Sequence, residues 1–346
     1  MSKKNILIFT FVVLPIIVAI GGSVIIMKQF YAPYEGNEVA FTVRSGEGFS
    51  SVNGRLISAK IISSPRIFHR YTKFKNKMSS LKVGTYTIPQ GATMSEVLTI
   101  LTEGVPILTR VTIPEGKNMY EVAKIFEAKG LVDAKEFIQL SKSQKMKAVL
   151  GVDGPSLEGY LFPETYMFSP ETSVKEIIVT MLKQFRKQTK DIDLNHSFLS
   201  PHEVVILASI VEKETGAKWE RPIIAGVYLN RLVKKMRLQA DPTTIYGIWE
   251  TYNGNLRRRH LLEKTPYNTY KINGLPLGPI ANPSLAAIKA VMNPEKHKYI
   301  YFVSKNDGTH KFTSTYKEHL KAVDYWQRNR KNRVGKSWRD LKQKKK

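Results

Sequence analysis

Between Ile6 and Met27 the chain runs for 22 residues without a charge. A helix over that stretch, at about 1.5 Å per residue, is roughly 33 Å long, against a bilayer hydrocarbon core of about 30 Å. The segment is therefore expected to be a transmembrane helix, and the residues beyond it fold as a body tethered beside a membrane. No other stretch is comparably long and apolar, so a polytopic membrane fold is excluded. Lys3 and Lys4 precede the segment; Lys28 comes directly after it, and then the chain turns acidic at Glu35 and Glu38. The positive-inside rule puts the N-terminus in the cytoplasm and residues 30–346 outside. A cleaved signal peptide is the competing reading. Its apolar core would be long, and no clean A-x-A site is found after it.

That destination decides how the charge is read. With 54 Lys plus Arg against 29 Asp plus Glu, the net charge is +25. Such an excess first suggests nucleic acid. An exported body meets instead an anionic membrane surface or an acidic wall polymer, so nucleic acid is not expected as a partner. Nine of the basic residues, with one acid, lie between Arg330 and Lys346, where the simplest reading is a solvated, disordered tail. The remainder has a globular composition and room for two or three domains. Cysteine is absent, which excludes disulfides, thiol nucleophiles and Cys-based zinc sites. The seven histidines are scattered. Neither a metal nor a cofactor is expected.

Three segments share a pattern: Val43 to Val52, Ile88 to Val97 and Ile113 to Val122. The last two match as I-P-x-G-x-x-M-x-E-V. Each reads as a strand end, a glycine turn and a helix start, with Thr93 and Asn118 as N-caps and Glu96 and Glu121 in the capping-box position. Small strand–helix units of this kind resemble the LysM-type glycan-binding modules of wall proteins, though packing alone accounts for them equally well. Residues 131–200 read as mostly helical, with helical spacing between Thr172 and Lys190. A polar linker runs from Gln188 to Ser200. Tyr299 to Val303 and Thr309 to Thr313, joined by Asn306-Asp307-Gly308, form a hairpin pattern, and a helix is expected from Thr315 to Gln327.

No G-x-S-x-G, Walker loop or H-E-x-x-H is present, which leaves carboxylate chemistry. The segment Ser200 to Gly216 carries it. Ser200 caps a helix, Pro201 suits its first position, and Glu203 completes a capping box. Val204 to Val211 is apolar nearly all round, so the helix is expected to lie in a core and to stop at Gly216. Its last turn holds Glu212 and Glu214, about 200° apart and hence on different faces. Glu214 continues the stripe of Val204, Leu207, Ile210 and Val211, whereas Glu212 continues Val205, Ala208 and Ser209. Glu214 is the better candidate for a carboxyl at the floor of a cleft, its pKa raised by desolvation as a general acid requires. Spacing alone leaves open that both are exposed last-turn residues paired with Lys213 or Lys218.

Downstream, Asn230-Arg-Leu232, Leu238 to Tyr246, Tyr267-Asn-Thr-Tyr270, Gly274 to Ile280 and Asn282-Pro283 gather amides, tyrosines and rigid turns. Flat aromatic faces and amides suit a carbohydrate groove; ordinary loop punctuation is the alternative. At these residues the sequence resembles the endolytic murein transglycosylase (YceG-like) family along nearly its whole length. The most specific stretches are Ala208 to Thr215 (ASIVEKET), Leu238 to Thr243 (LQADPT), Tyr267 to Tyr270, Gly274-Leu-Pro276 and Glu158 to Tyr166 (EGYLFPETY). Leu277 stands where the family often has Pro, and Ser284 comes after Asn282-Pro283 where Gly is common.

The resemblance implies an α+β protein. Residues 1–30 would form a cytoplasmic tip and transmembrane anchor, 31–110 a LysM-like subdomain, 111–199 a connecting helical region, 200–328 a mixed helical and β catalytic domain, and 329–346 the basic tail. It puts the catalytic acid on Glu214. Gln239, Asp241, Asn230, Tyr267, Asn268, Tyr270 and Glu158 are then the expected substrate-binding residues. The implied substrate is the glycan of peptidoglycan, cut between N-acetylmuramic acid and N-acetylglucosamine to leave a 1,6-anhydromuramyl end, a lyase reaction without water. On nascent strands beside the peptidoglycan synthases such cutting would terminate elongation. Two alternatives stay open: a hydrolytic muramidase with Glu212, Asp241 or Glu158 as second carboxylate, and a non-catalytic wall-binding scaffold.

Overall fold

A computed structural model describes residues 13–44, 46–214 and 216–333. The described residues form an α+β protein and divide into two compact units, one drawn from residues 1–110 and 167–173, the other from residues 111–166 and 174–346.

The first unit begins with helix α1 (Leu14–Tyr31). It covers the C-terminal part of the expected membrane segment; residues 6–12 of that segment lie outside the described residues. Ile16, Ile17, Val18, Ile20, Val24 and Ile25 are all exposed. Among the described residues no helix is long and apolar enough to cross a membrane. Strand β1 (Val39–Val43), helices α2 (Phe49–Ser58) and α3 (Pro65–Phe74), and strand β2 (Gly84–Ile88) come next in order. The strands pair antiparallel, Val39 opposite Ile88 and Val43 opposite Gly84. Helix α4 (Met94–Glu103) leaves β2 through Thr93, whose side chain and that of Glu96 form the expected capping box. Phe41, Val43, Val52, Leu56, Phe68, Tyr86, Ile88, Val97 and Leu101 make this unit's core.

Strand β3 (Thr109–Thr112) leads out of it. Gly116 holds φ +73° at the turn, as Gly46 and Gly91 do in the other two copies of the pattern, so all three need a left-handed residue there. Asn118 then caps helix α5 (Met119–Glu127) through a second capping box with Glu121. Helices α6 (Ala134–Lys142) and α7 (Gln144–Leu150) come next, and then β4 (Thr165–Phe168), which pairs with β3. A strand inside residues 131–200 departs from the mostly helical expectation. Four residues are too few for a period to register, and the partner strand lies more than fifty positions away. Helix α8 (Val174–Thr189) falls where its spacing put it.

The second unit's core is built around α9 (Pro201–Glu214). Ser200 and Glu203 complete its capping box: the Ser200 N–H donates to Glu203 Oε2 at 2.8 Å, and the Glu203 N–H donates to Ser200 Oγ at 3.3 Å. All eight residues from Val204 to Val211 are buried. Ser209, the polar one among them, is satisfied. Its Oγ donates to the Ile206 carbonyl at 2.7 Å and accepts the Ile280 N–H at 3.0 Å. Beyond it lie helices α10 (Arg221–Val233), α11 (Asp241–Gly247), α12 (Arg258–Leu262) and α13 (Leu285–Met292). Ile224, Tyr228, Ile288 and Val291 pack with α9. Truncating Leu207 to alanine in such a core costs about 2–5 kcal/mol. The hairpin of β5 (Tyr301–Ser304) and β6 (His310–Thr313) pairs Tyr301 with Thr313 and Ser304 with His310. Helix α14 (Tyr316–Val323), capped by Thr315, continues as a wider turn through Arg328. The basic tail from residue 334 onward lies outside the described residues.

Candidate active site

Helix α9 ends at the last residue before Thr215, and Glu214 emerges from the buried helix beside α10. Its side chain lines a cavity of about 290 Å³ with Tyr228, Arg231, Leu238, Gln239, Asp241, Tyr270, Phe302 and His319. Tyr228 Oη donates to Glu214 Oε1 at 2.9 Å. Desolvation is the largest influence on the carboxyl and pushes its pKa up to about 7. The Tyr228 hydrogen bond and Arg231 oppose that shift, while the charge of Asp241 adds to it. A glutamate so placed holds and releases a proton near neutral pH.

Glu212, two residues earlier, is committed elsewhere. Its Oε1 accepts from Arg221 Nη2 at 2.7 Å, and its Oε2 accepts the Ser284 N–H at 3.0 Å and the Ser284 hydroxyl at 2.5 Å. Its side chain is 5% exposed. The reading in which both glutamates are solvent-facing partners of Lys213 or Lys218 therefore does not hold. The helical phase separates them, and each carboxyl finds a different interior partner.

Arg231 shapes the opposite wall. Its Nη1 donates to the carbonyls of Leu238 at 2.8 Å and Arg237 at 3.2 Å, and its Nε donates to the Ile300 carbonyl at 2.6 Å. The guanidinium thus ties α10 to the approach of β5 and to the chain entering α11. In that chain Gln239 adopts φ +53°. A left-handed non-glycine residue costs roughly 1–2 kcal/mol and marks a position held by its surroundings. One residue later the Ala240 N–H donates to Thr269 Oγ1 at 3.0 Å, and Thr243 and Thr269 share a 2.8 Å hydroxyl contact. These bonds bring the Leu238–Thr243 and Tyr267–Tyr270 stretches together. Tyr270 Oη reaches back to donate to Asp241 Oδ1 at 2.7 Å.

Of the eight expected site residues, Glu214, Gln239, Asp241 and Tyr270 share the cavity. The other four lie elsewhere. Asn230 gives its amide N–H groups to the carbonyls of His297 and Tyr299, at 2.9 and 3.0 Å. Asn268 is buried; its Nδ2 donates to the Glu263 carbonyl at 2.6 Å, and its Oδ1 accepts from Thr244 and from the Tyr270 N–H. Glu158 is buried too. It accepts the Met119 N–H at 2.8 Å and Asn282 Nδ2 at 3.0 Å, and its pKa is pushed up to about 8 by desolvation. Tyr267 lines a different, aromatic cavity. Tyr228 and Arg231 were not among the expected residues. Their sequence signal is weak: two polar groups three positions apart on α10. Among the described residues no group of side chains could hold a metal ion.

The chain is 32% identical over 326 residues to an endolytic murein transglycosylase of Bacillus subtilis (strain 168), covering 88% of this chain and 90% of that one. It is 27% identical over 323 residues to a protein of the same name from Streptococcus pneumoniae serotype 2 (strain D39 / NCTC 7466), covering 82% of this chain and 58% of that longer one. A crystal structure of a putative YceG-like protein from Listeria monocytogenes is similar with a TM-score of 0.56 at 30% identity, covering 82% of this chain and 99% of that one. The sequence model of the YceG-like family matches residues 41–325, and with most of its length matched this chain belongs to that family.

Proposed function

We propose that this protein is a lytic transglycosylase of peptidoglycan and that Glu214 is its catalytic acid. The observation that carries the proposal is the carboxyl at the mouth of a buried helix, with a pKa near 7, in a cavity lined by amide, carboxylate and tyrosine groups. Protonated Glu214 gives its proton to the glycosidic oxygen between N-acetylmuramic acid and N-acetylglucosamine, and the bond to C1 breaks with oxocarbenium character. The carboxylate left behind is stabilised by the Tyr228 hydroxyl and by Arg231. It takes the proton of the muramyl C6 hydroxyl, whose oxygen closes onto C1. The products are a 1,6-anhydromuramyl end and a free N-acetylglucosamine 4-hydroxyl; atoms balance without water. Gln239, Asp241 and Tyr270 offer hydrogen bonds to the sugar ring next to the acid.

The cut is internal to the strand, as the names of the two relatives state for those proteins. Residues 6–27 anchor the chain in the inner membrane with the catalytic body on the periplasmic side, residues 31–110 form a LysM-like subdomain, and residues 200–328 carry the chemistry. An internal cutter held beside the membrane acts on nascent strands near the synthases and ends their elongation. Support for the anchor is the charge-free stretch itself and the exposed apolar side chains of α1.

A second reading has one observation in its favour: Asp241 lines the same cavity as Glu214, which gives a two-carboxylate hydrolase a candidate second group. Mass spectrometry of sacculus digests separates the two. Anhydro-muropeptides that vanish in Glu214→Gln support the lyase. Reducing muramic acid ends, or activity retained in Glu214→Gln, refute it.

A further inference from the structure

Another cavity in the same unit, of about 470 Å³, is lined by Tyr120, Tyr246, Trp249 and Tyr267 with Lys142, Glu250 and Glu263 at its edge. Four aromatic rings around one hollow form a platform. Tyr120 and Trp249 are stacked at 6.1 Å with their planes 19° apart, and Tyr246 and Tyr267 lie at 4.8 Å. Lys142 Nζ sits 5.0 Å over the Tyr120 ring and 3.8 Å from Glu250 Oε1.

The platform is held from beneath. Glu158, fully buried, hydrogen-bonds the Tyr246 side chain and accepts the Met119 N–H at the start of α5, one residue before Tyr120. Asn282 fixes Glu158 in turn, and its Oδ1 accepts the N–H groups of Gly159 and Leu161, both at 2.9 Å. None of Met119, Glu158 and Asn282 is among the described residues that line the cavity of Glu214, yet their network orients two of the four rings. Glu158-Gly159 and Asn282 thus have a task that catalysis at Glu214 does not explain.

Helix α11 joins the two cavities. Asp241 at its first position faces the acid's cavity, and Tyr246 and Gly247 at its end line the aromatic one. Six helical steps of about 1.5 Å separate them by roughly 9 Å. Flat rings stack on the apolar faces of pyranose rings, while carboxylates and an ammonium at the edge pair with hydroxyls and acetamido groups.

We propose that the aromatic cavity is a second glycan subsite, which binds sugar rings of the same strand some way from the bond that Glu214 cuts. The inference rests on the transglycosylase reading and deepens it: the enzyme recognises an extended strand, and short fragments occupy only one of its two sites.

The test uses the full chain in detergent, in the Glu214→Gln background so that nothing is cut. The probes are peptidoglycan glycan strands freed of stem peptides, in short and long size classes, and free stem peptides. Trp249→Ala is expected to weaken long strands about tenfold, with the loss confined to them, and Trp249→Phe to restore most of the affinity. Tyr120→Ala reproduces the loss. In the otherwise unchanged chain, Trp249→Ala raises KM on long strands while kcat stays near its starting value. The Trp249 turn contributes no buried residue, so its truncation leaves the core intact. Unaltered affinity for long strands overturns the proposal, as does an equal loss for short ones. Competition by free stem peptides that Trp249→Ala abolishes also overturns it, since the cavity then takes peptide. Failure of the transglycosylase reading shows separately, as persistent cutting by Glu214→Gln.

Discussion

Replacing Glu214 by glutamine should do two opposite things: abolish activity and stabilise the fold above neutral pH. A pKa of about 7 in place of 4.5 means that burial favours the protonated carboxyl by roughly 3 kcal/mol. The sign comes from linkage. The folded state holds this proton more tightly than the unfolded chain, so the group's contribution is complete below about pH 4.5. It is lost progressively as pH rises to about 7. Above pH 7 the wild type carries a buried charge at full penalty. Glutamine has nearly the same shape, keeps an oxygen for the Tyr228 hydroxyl, and carries no charge. The variant should therefore match the wild type at pH 4.5 and exceed it at pH 8 by up to about 3 kcal/mol. At about 2–4 °C per kcal/mol for a unit of this size, that is a Tm gain of several degrees. Glu158, whose pKa is also raised, is common to both proteins and cancels from the difference. Calorimetry of the two full chains at pH 4.5, 6 and 8, beside anhydro-muropeptide release at pH 6, measures both effects. A Tm difference that does not grow between pH 4.5 and 8 refutes the buried, proton-holding carboxyl. An active variant refutes its role as acid.

Other outcomes are specific to single groups. Activity should fall on the alkaline side with a midpoint near pH 7 as Glu214 loses its proton. Tyr228→Phe removes a hydrogen bond that lowers that pKa, so the midpoint in kcat/KM should move up by about one pH unit; a downward move contradicts the assigned donor. Asn282→Ala deletes a buried amide that bonds Gly159, Leu161, Lys117 and Glu158, and denaturant titration should show a loss of at least about 3 kcal/mol. Gln239→Gly relieves the left-handed strain and should stabilise the fold by about 1 kcal/mol while raising KM on sacculi. A glycine variant with unchanged KM would remove the Gln239 side chain from the substrate contacts.

Much of the site was legible in the sequence. The capping pattern at Ser200 and the unbroken apolar run to Val211 fix where α9 starts and that it is buried, because both signals are local and repeat with the helical period. The same period separates Glu212 from Glu214 by about 200° and aims the latter at the cleft. The three copies of the strand–glycine–helix pattern became three left-handed glycines, since backbone sterics act within a few residues. Residue type alone did not say which polar side chains are free. Asn230, Asn268 and Glu158 look like sugar-binding groups in the sequence, yet each is consumed by interior partners, Glu158 by an asparagine 124 positions away. Tyr228 and Arg231 carry only a weak sequence signal for the complementary reason: spacing within one helix does not say that a carboxylate and a strained loop close on them. Hydrogen-bond partnership between distant segments is a property of the folded packing, and only the tertiary structure decides it. The sequence by itself therefore determined where α9 starts, that it is buried, and that Glu212 leaves it on a different face from Glu214. The fold determined which neighbours tune that acid, and it set a separate aromatic hollow at the far end of α11.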